Sequence, residues 1–165
     1  MKYPFAILQR ALRIWPAYLM TIIFYYSVFM HLGSGPRWSA NEPVVNMCSK
    51  FWRSLLFIEN IADNGTETCL VWGWYLQVDF QMFLVCLLLL GVYSYHKKAS
   101  FVFGGLLIVG SWTYNLIYTQ VHEQKVFIDM KSLTAFIGYF QDIYVKPWAR
   151  WSPYILGVFL GLTYT

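Results

Sequence analysis

Long apolar runs separated by polar stretches set the pattern of this chain. Residues 14–32 and 101–121 carry no charge, and residues 72–95 carry one, Asp79. A fourth run, 151–165, is also uncharged but shorter. The hydrocarbon core of a bilayer is about 30 Å thick and takes roughly 20 helical residues to cross. The runs therefore predict helices near 14–32, 72–95, 101–121 and 151–165, with residues 5–12 as an amphipathic lead-in to the first. Gly33-Ser34-Gly35-Pro36 stops that first helix sharply. Aromatic residues crowd the ends of the runs, among them Trp15, Tyr18, Trp72, Trp74, Tyr93, Tyr95, Trp148 and Trp151. Rings with one polar edge favour the membrane–water boundary. The predicted fold class is all-α: a polytopic integral membrane helix bundle with about four transmembrane helices, in one domain.

Composition sharpens this picture. Of the 165 residues, 58% are hydrophobic, 21% aromatic and 12% charged, where soluble domains carry about 25% charged residues. Disorder, coiled coil and a disulfide-knotted mini-protein are excluded. Net charge is +4, with no cluster of Lys and Arg on a wet face, so the expected partner is the lipid bilayer and not nucleic acid. No small-residue cleavage site follows the first apolar run, so it reads as a retained helix and not a secretory signal.

Charge gives an orientation. Lys2, Arg10 and Arg13 precede the first run and Lys97 and Lys98 follow the second, with no acid beside them. The two longer loops hold seven basic and seven acidic residues. The short basic side is expected to be cytoplasmic. The chain's N-terminus would then be cytoplasmic and the 33–71 loop luminal or extracellular. Asn64-Gly65-Thr66 in that loop is a glycosylation sequon, which agrees with that side. Cys48 and Cys69 share the loop, and on a non-cytosolic face they read as a disulfide in preference to two free thiols, with Cys86 free in an apolar run. The expected compartment is the endoplasmic reticulum or plasma membrane.

Few residues invite chemistry. Asp79 lies seven residues past Trp72, about 10 Å along a helix. An ionisable group at that depth points either to a functional site or to a hydrogen bond that pins helix packing. Gln77 and Gln81 fall on one helical face and Asp79 on nearly the opposite one, which predicts a helix enclosed on both sides. Arg10 and Arg13, one turn apart, could grip a phosphate in fork geometry; taken alone they serve equally as topology markers that snorkel to headgroups. His31, His96 and His122 have no neighbours at metal-ligand spacing, so no metal site and no bound cofactor is expected.

The order of these motifs resembles a known family. Arg10-Ala11-Leu12-Arg13-Ile14-Trp15-Pro16-Ala17 looks like the R-x-x-R-[IL]-x-P-A motif of the acyltransferase 3 family. Trp74-Tyr75-Leu76-Gln77-Val78-Asp79-Phe80-Gln81 is similar to its W-x-L-x-V-[ED]-x-Q motif. The nose-resistant-to-fluoxetine branch fits more closely, through the Gly33 turn, Cys48 with Trp52, Cys69 and the Lys-Pro-Trp segment at 146–157. The resemblance implies transfer of an acyl group from acyl-CoA to an acceptor hydroxyl. It implies that Arg10 and Arg13 lie near the donor phosphates. Trp74, Gln81, Lys146 and Arg150 join them as candidate donor- or substrate-binding residues, and Asp79 stands as the catalytic candidate. The family's catalytic His belongs to a helix ahead of the arginine motif. The chain is thus expected to be an internal piece of a longer protein, an incomplete gene model or a degenerate relative. Two other classes stay open: a lipid or small-molecule transport protein on the same bundle, and a non-catalytic structural membrane subunit.

Overall fold

A computed structural model describes residues 3–33, 48–62, 69–121 and 133–164. Among the described residues every regular element is helical and no strand occurs. The sequon at Asn64, most of the Gly33–Pro36 turn and His122 lie outside them. The longer helices are α1 (Tyr3–Ser27), α4 (Trp74–Tyr95), α5 (Lys97–Val121) and α7 (Trp151–Tyr164), with the shorter α2 (Trp52–Leu55), α3 (Glu59–Ala62) and α6 (Leu133–Tyr139) between them. The expected bounds hold to within a few residues for α4 and α7. The first helix ends earlier than expected, because the lead-in joins it and its last residues turn into a 3-10 segment at Phe29–His31. Pro16 sits inside α1, where it removes one backbone N–H donor. The 33–71 stretch, expected as loop, contains α2 and α3.

Only α4 and α5, of the described helices, are both long and apolar enough to cross a membrane. α7 has 14 residues, roughly 21 Å of rise, short of the hydrocarbon core. α1 has 25 residues but carries Arg10 and Arg13 in its first half.

The chain divides into two compact units, Met1–Gln77 and Val78–Thr165. In the first, Tyr18 and Ile22 of α1 pack against Cys48, Cys69 and Leu70, with Ile14, Tyr25, Leu55 and Leu76 around them. The Trp15 indole donates to the Leu55 carbonyl at 2.8 Å, tying α1 to the end of α2. A left-handed residue stops α2. Phe57 has φ 57°, its N–H donates to the Ser54 carbonyl at 3.0 Å, and Ile58 N–H donates to the Arg53 carbonyl at 3.1 Å. This is a Schellman cap with Phe57 where glycine is usual. The conformation is strained by about 1 kcal/mol or more. Burial of the ring offsets it, stacked on Tyr18 at 6.4 Å between centroids.

In the second unit α4 and α5 form a hairpin whose corner is tied by the Ser100 hydroxyl, donating to the Leu89 carbonyl at 2.9 Å. Leu89, Ile108 and Ile155 form its core, flanked by Val85, Leu107, Trp151 and Phe159. Phe101 lies on Phe159 at 4.8 Å. Gly104 permits this approach: a Cβ there would strike the Phe159 ring and stand 3.2 Å from Ile155 Cγ2. A Cβ on the neighbouring Gly105 would meet nothing within 4 Å. Gly104→Ala should therefore lower the stability of the protein by about 1–3 kcal/mol through overpacking. Gly105→Ala should hold it level or raise it by about 0.5–1 kcal/mol through helix propensity. Thermal unfolding of the two variants in detergent checks the contrast; equal behaviour would contradict it.

Candidate functional site

Two polar assemblies stand out, one in each unit. The first is centred on Glu59, in the apolar stretch Phe57-Ile58-Glu59-Asn60-Ile61 that follows the strained cap. Glu59 is 1% exposed. One carboxylate oxygen accepts from the Ser54 hydroxyl at 2.6 Å and from Gln77 Nε2 at 2.9 Å; the other accepts from the Cys69 N–H at 3.0 Å. Gln77, fully buried in the first turn of α4, also accepts the Asn60 N–H at 2.7 Å on its Oε1. Cys48 and Cys69 are joined in a disulfide, as expected, with Cα atoms 4.4 Å apart, and Cys86 stands outside it as a thiol. Cys69 thus fixes the segment twice, through its sulfur and through its N–H. The Tyr18 ring approaches from α1 over Gly73, where a Cβ would stand 2.5 Å from the Tyr18 hydroxyl. Beside these elements runs an apolar groove of about 420 Å³ lined by Leu19, Ile22, Ile23, Tyr26, Ser27, Cys48 and Phe51.

The second assembly closes one end of unit two. The chain leaves α6 through a π-helical turn, Phe140–Tyr144, closed by Val145 N–H donating to the Phe140 carbonyl at 3.1 Å. Asp142 in this turn is held from α5: Tyr114 donates to its carbonyl at 2.7 Å and Tyr118 to its Oδ2 at 3.1 Å. Asn115 donates to the Ala149 carbonyl at 3.0 Å. The Lys146 ammonium stands 5.5 Å from the Trp148 ring centre, and the Arg150 guanidinium 4.2 Å from that of Tyr144. Lys146 is buried, and burial pushes its ammonium below the ordinary lysine range against the opposing pull of the Asp142 carboxylate. Two candidates from the sequence, Lys146 and Arg150, are thus brought together here, with Trp148 and Tyr144 as their platforms.

The remaining candidates sit apart from one another. Arg10 is half-buried and Arg13 exposed, one turn apart on α1. Trp74 is half-buried and meets Tyr75 edge-on at 5.9 Å. Asp79 and Gln81 are both half-buried on α4. Gln77, noted in the sequence only as a flank of Asp79, is the α4 residue that enters the first polar assembly. Glu59, counted there only in the charge balance, is its centre. The available signal was an acid enclosed by Phe57, Ile58 and Ile61. Among the described residues no group of three or more His, Cys, Asp or Glu could hold a metal.

Gln77→Leu would leave the Asn60 N–H and one Glu59 oxygen short of a partner inside the core. The expected loss is about 2–4 kcal/mol. A chemical-denaturation midpoint unchanged by this substitution would show the network to be marginal.

Comparison with known proteins covers both units. The acyltransferase domain model of the acyltransferase 3 family matches residues 1–164. The chain is 28% identical over 164 residues to Nose resistant to fluoxetine protein 6 of Caenorhabditis elegans, covering 94% of the chain and 20% of that protein. It is 24% identical over 152 residues to Regulator of hypoxia-inducible factor 1 of the same organism, covering 81% of the chain and 30% of that protein. No solved structure matches. The chain thus spans between a fifth and a third of the length of these relatives. With the family match running through both units and both motif helices, the chain belongs to the acyltransferase 3 family, in its nose-resistant-to-fluoxetine branch.

Proposed function

We propose that this chain forms part of a membrane-bound acyltransferase that moves an acyl group from acyl-CoA to an acceptor hydroxyl. Family membership, with Arg10 and Arg13 one turn apart near the start of α1, carries the reading. In it all four long helices lie in the bilayer. Its compartment is the endoplasmic reticulum or plasma membrane, with Arg10 and Arg13 at the cytoplasmic surface and the disulfide-bearing segment and Asn64 on the other side. The acceptor oxygen attacks the thioester carbonyl, the C–S bond breaks, and the CoA thiolate leaves and is protonated. A histidine from outside this chain takes the acceptor's proton. Two guanidinium groups hold the donor phosphates in fork geometry. Asp79 lines the reaction cavity, and Lys146 and Arg150 supply positive charge toward the bound substrate. A second reading, transport of a lipid or small molecule on the same bundle, is favoured by the apolar groove beside α1.

The test is acyl transfer from labelled acyl-CoA by the full-length protein in membranes. Arg13→Lys keeps the charge and loses the planar fork. It should raise the KM for acyl-CoA roughly tenfold or more, on the strength of one lost charged hydrogen bond. Unchanged donor affinity would return both arginines to topology marking, and lipid movement without acyl transfer would favour the second reading. Asp79→Asn separates charge from packing. If the carboxylate orients a substrate group, the variant folds normally and its kcat falls about 10²-fold or more. A folded, fully active Asn variant would remove Asp79 from the site.

A further inference from the structure

The short segment that carries α2 and α3 is built outside-in. Its apolar side chains Phe51, Trp52, Leu56, Ile58 and Ile61 are exposed, Leu56 by 55%. Its polar side chains Ser54, Glu59 and Asn60 are buried, each at 1% exposure or less. In water that arrangement is unfavourable twice, because it wets apolar groups and dehydrates polar ones. Two apolar grooves run between these exposed residues and α1, with Leu19 lining both. One of about 420 Å³ reaches Phe51, and one of about 390 Å³ reaches Trp52, Leu55 and Leu56.

The backbone is arranged for the same surroundings. The N–H groups of Leu55, Leu56, Phe57 and Ile58 donate to carbonyls within residues 51–54, and those of Ile61 and Ala62 donate to the Ile58 carbonyl. The Asn60 N–H donates to Gln77 Oε1, and the Leu55 carbonyl accepts from the Trp15 indole. Irregular backbone is tolerated at membrane depth where protein meets its polar groups. The position along α1 agrees. Leu55 meets Trp15, Phe57 stacks on Tyr18 and Trp72 meets Tyr25 edge-on, so the segment lies alongside α1 and not beyond its end. Trp15 is about 18 Å from Ser27 at that end. Charge agrees as well. Between residues 48 and 62 the one acid, Glu59, is buried, while the cations Lys50 and Arg53 flank Trp52, with the Arg53 guanidinium 5.3 Å from the centre of its ring. A tryptophan at the lipid boundary with cations that reach headgroup phosphates fits this arrangement. We infer that residues 51–61 are embedded in the bilayer, with Phe51, Trp52, Leu56, Ile58 and Ile61 against phospholipid acyl chains. The inference takes from the acyl-transfer reading only that α1 lies in the bilayer.

The experiment attaches nitroxide spin labels through Leu56→Cys and Ile61→Cys. It uses the full-length protein, cleared of other free thiols and reconstituted in phosphatidylcholine vesicles. Dissolved oxygen concentrates in lipid, and a water-soluble nickel chelate is excluded from it. Both labels should relax severalfold more with oxygen than with the chelate. A label at Lys98→Cys, exposed at the α4–α5 corner, should show the reverse. Chelate access at either site equal to that at Lys98 overturns the inference by placing the segment in water. Exclusion of both reagents overturns it too, because another protein surface then covers that face. No substrate is present, so loss of acyl transfer leaves the test intact. A label at Met20→Cys, exposed on α1, separates the two membrane placements. Met20 in lipid with Leu56 or Ile61 in water defeats the segment alone, and Met20 in water defeats the placement of α1 with it. If a labelled variant does not fold, the unsubstituted protein decides, photolabelled by a phospholipid with a diazirine on its acyl chain. Adducts within residues 51–61 support the inference, and adducts confined to the long helices overturn it.

Discussion

A carboxyl group cannot be carried into an apolar core unless its oxygens are met there, and in the first unit that requirement organises everything around Glu59. Ser54 meets it from the end of α2, the Cys69 N–H from the far side of the disulfide, and Gln77 from the start of α4. Each donor comes from a different element, so the elements must arrive together. The strained cap at Phe57 is part of the same solution. Its left-handed turn closes α2 two residues before Glu59, which the chain must swing inward, and the ring it buries lies on Tyr18 of α1. One acidic residue thereby relates α1, α2, α3 and the first turn of α4 within this unit.

The second unit is organised the other way, by apolar packing with polar ends. Leu89, Ile108 and Ile155 form the centre, and Gly104 sets how closely α5 and α7 approach. Hydrogen bonds appear where the packing stops: Ser100 at the hairpin corner, then Tyr114, Asn115 and Tyr118 at the far end of α5. Lys146 and Arg150 lie in the segment those bonds hold, each over an aromatic ring. A cation in this position keeps a partner without needing a second carboxylate beside it.

Much of this was legible in the chain, for reasons that can be traced to particular residues. α4 and α5 stand out because long, nearly uncharged apolar runs have few alternatives to helix, and the Cys48–Cys69 pairing could be expected because charge and sequon assigned both cysteines to one non-cytosolic loop. Arg10, Arg13, Lys146 and Arg150 could be picked out by motif. Glu59 could not, because in one dimension it is one acid among seven in loops balanced by seven bases. Its importance arises from burial, which three short elements distant in sequence create. Gln77 was hidden by Asp79 for a related reason. Both are polar residues in an apolar helix, and charge draws attention while the amide is the one that is enclosed. Asn115 was hidden because a small polar residue in a hydrophobic helix looks like ordinary variation until its partner, the Ala149 carbonyl, is known.

The π-turn at Phe140–Tyr144 carries a consequence for how sequences of this kind can change length. A π-turn holds one residue more than the α-helical turn it replaces. Deleting any one residue there would regularise the backbone, yet it would turn everything downstream by about 100° relative to α6. Asp142 could no longer meet both tyrosines of α5, and Lys146 and Trp148 would leave their present settings. Side-chain replacement in this turn is therefore a smaller perturbation than a single-residue gap, so alignments of relatives should be free of gaps between residues 139 and 145 even where the residues differ.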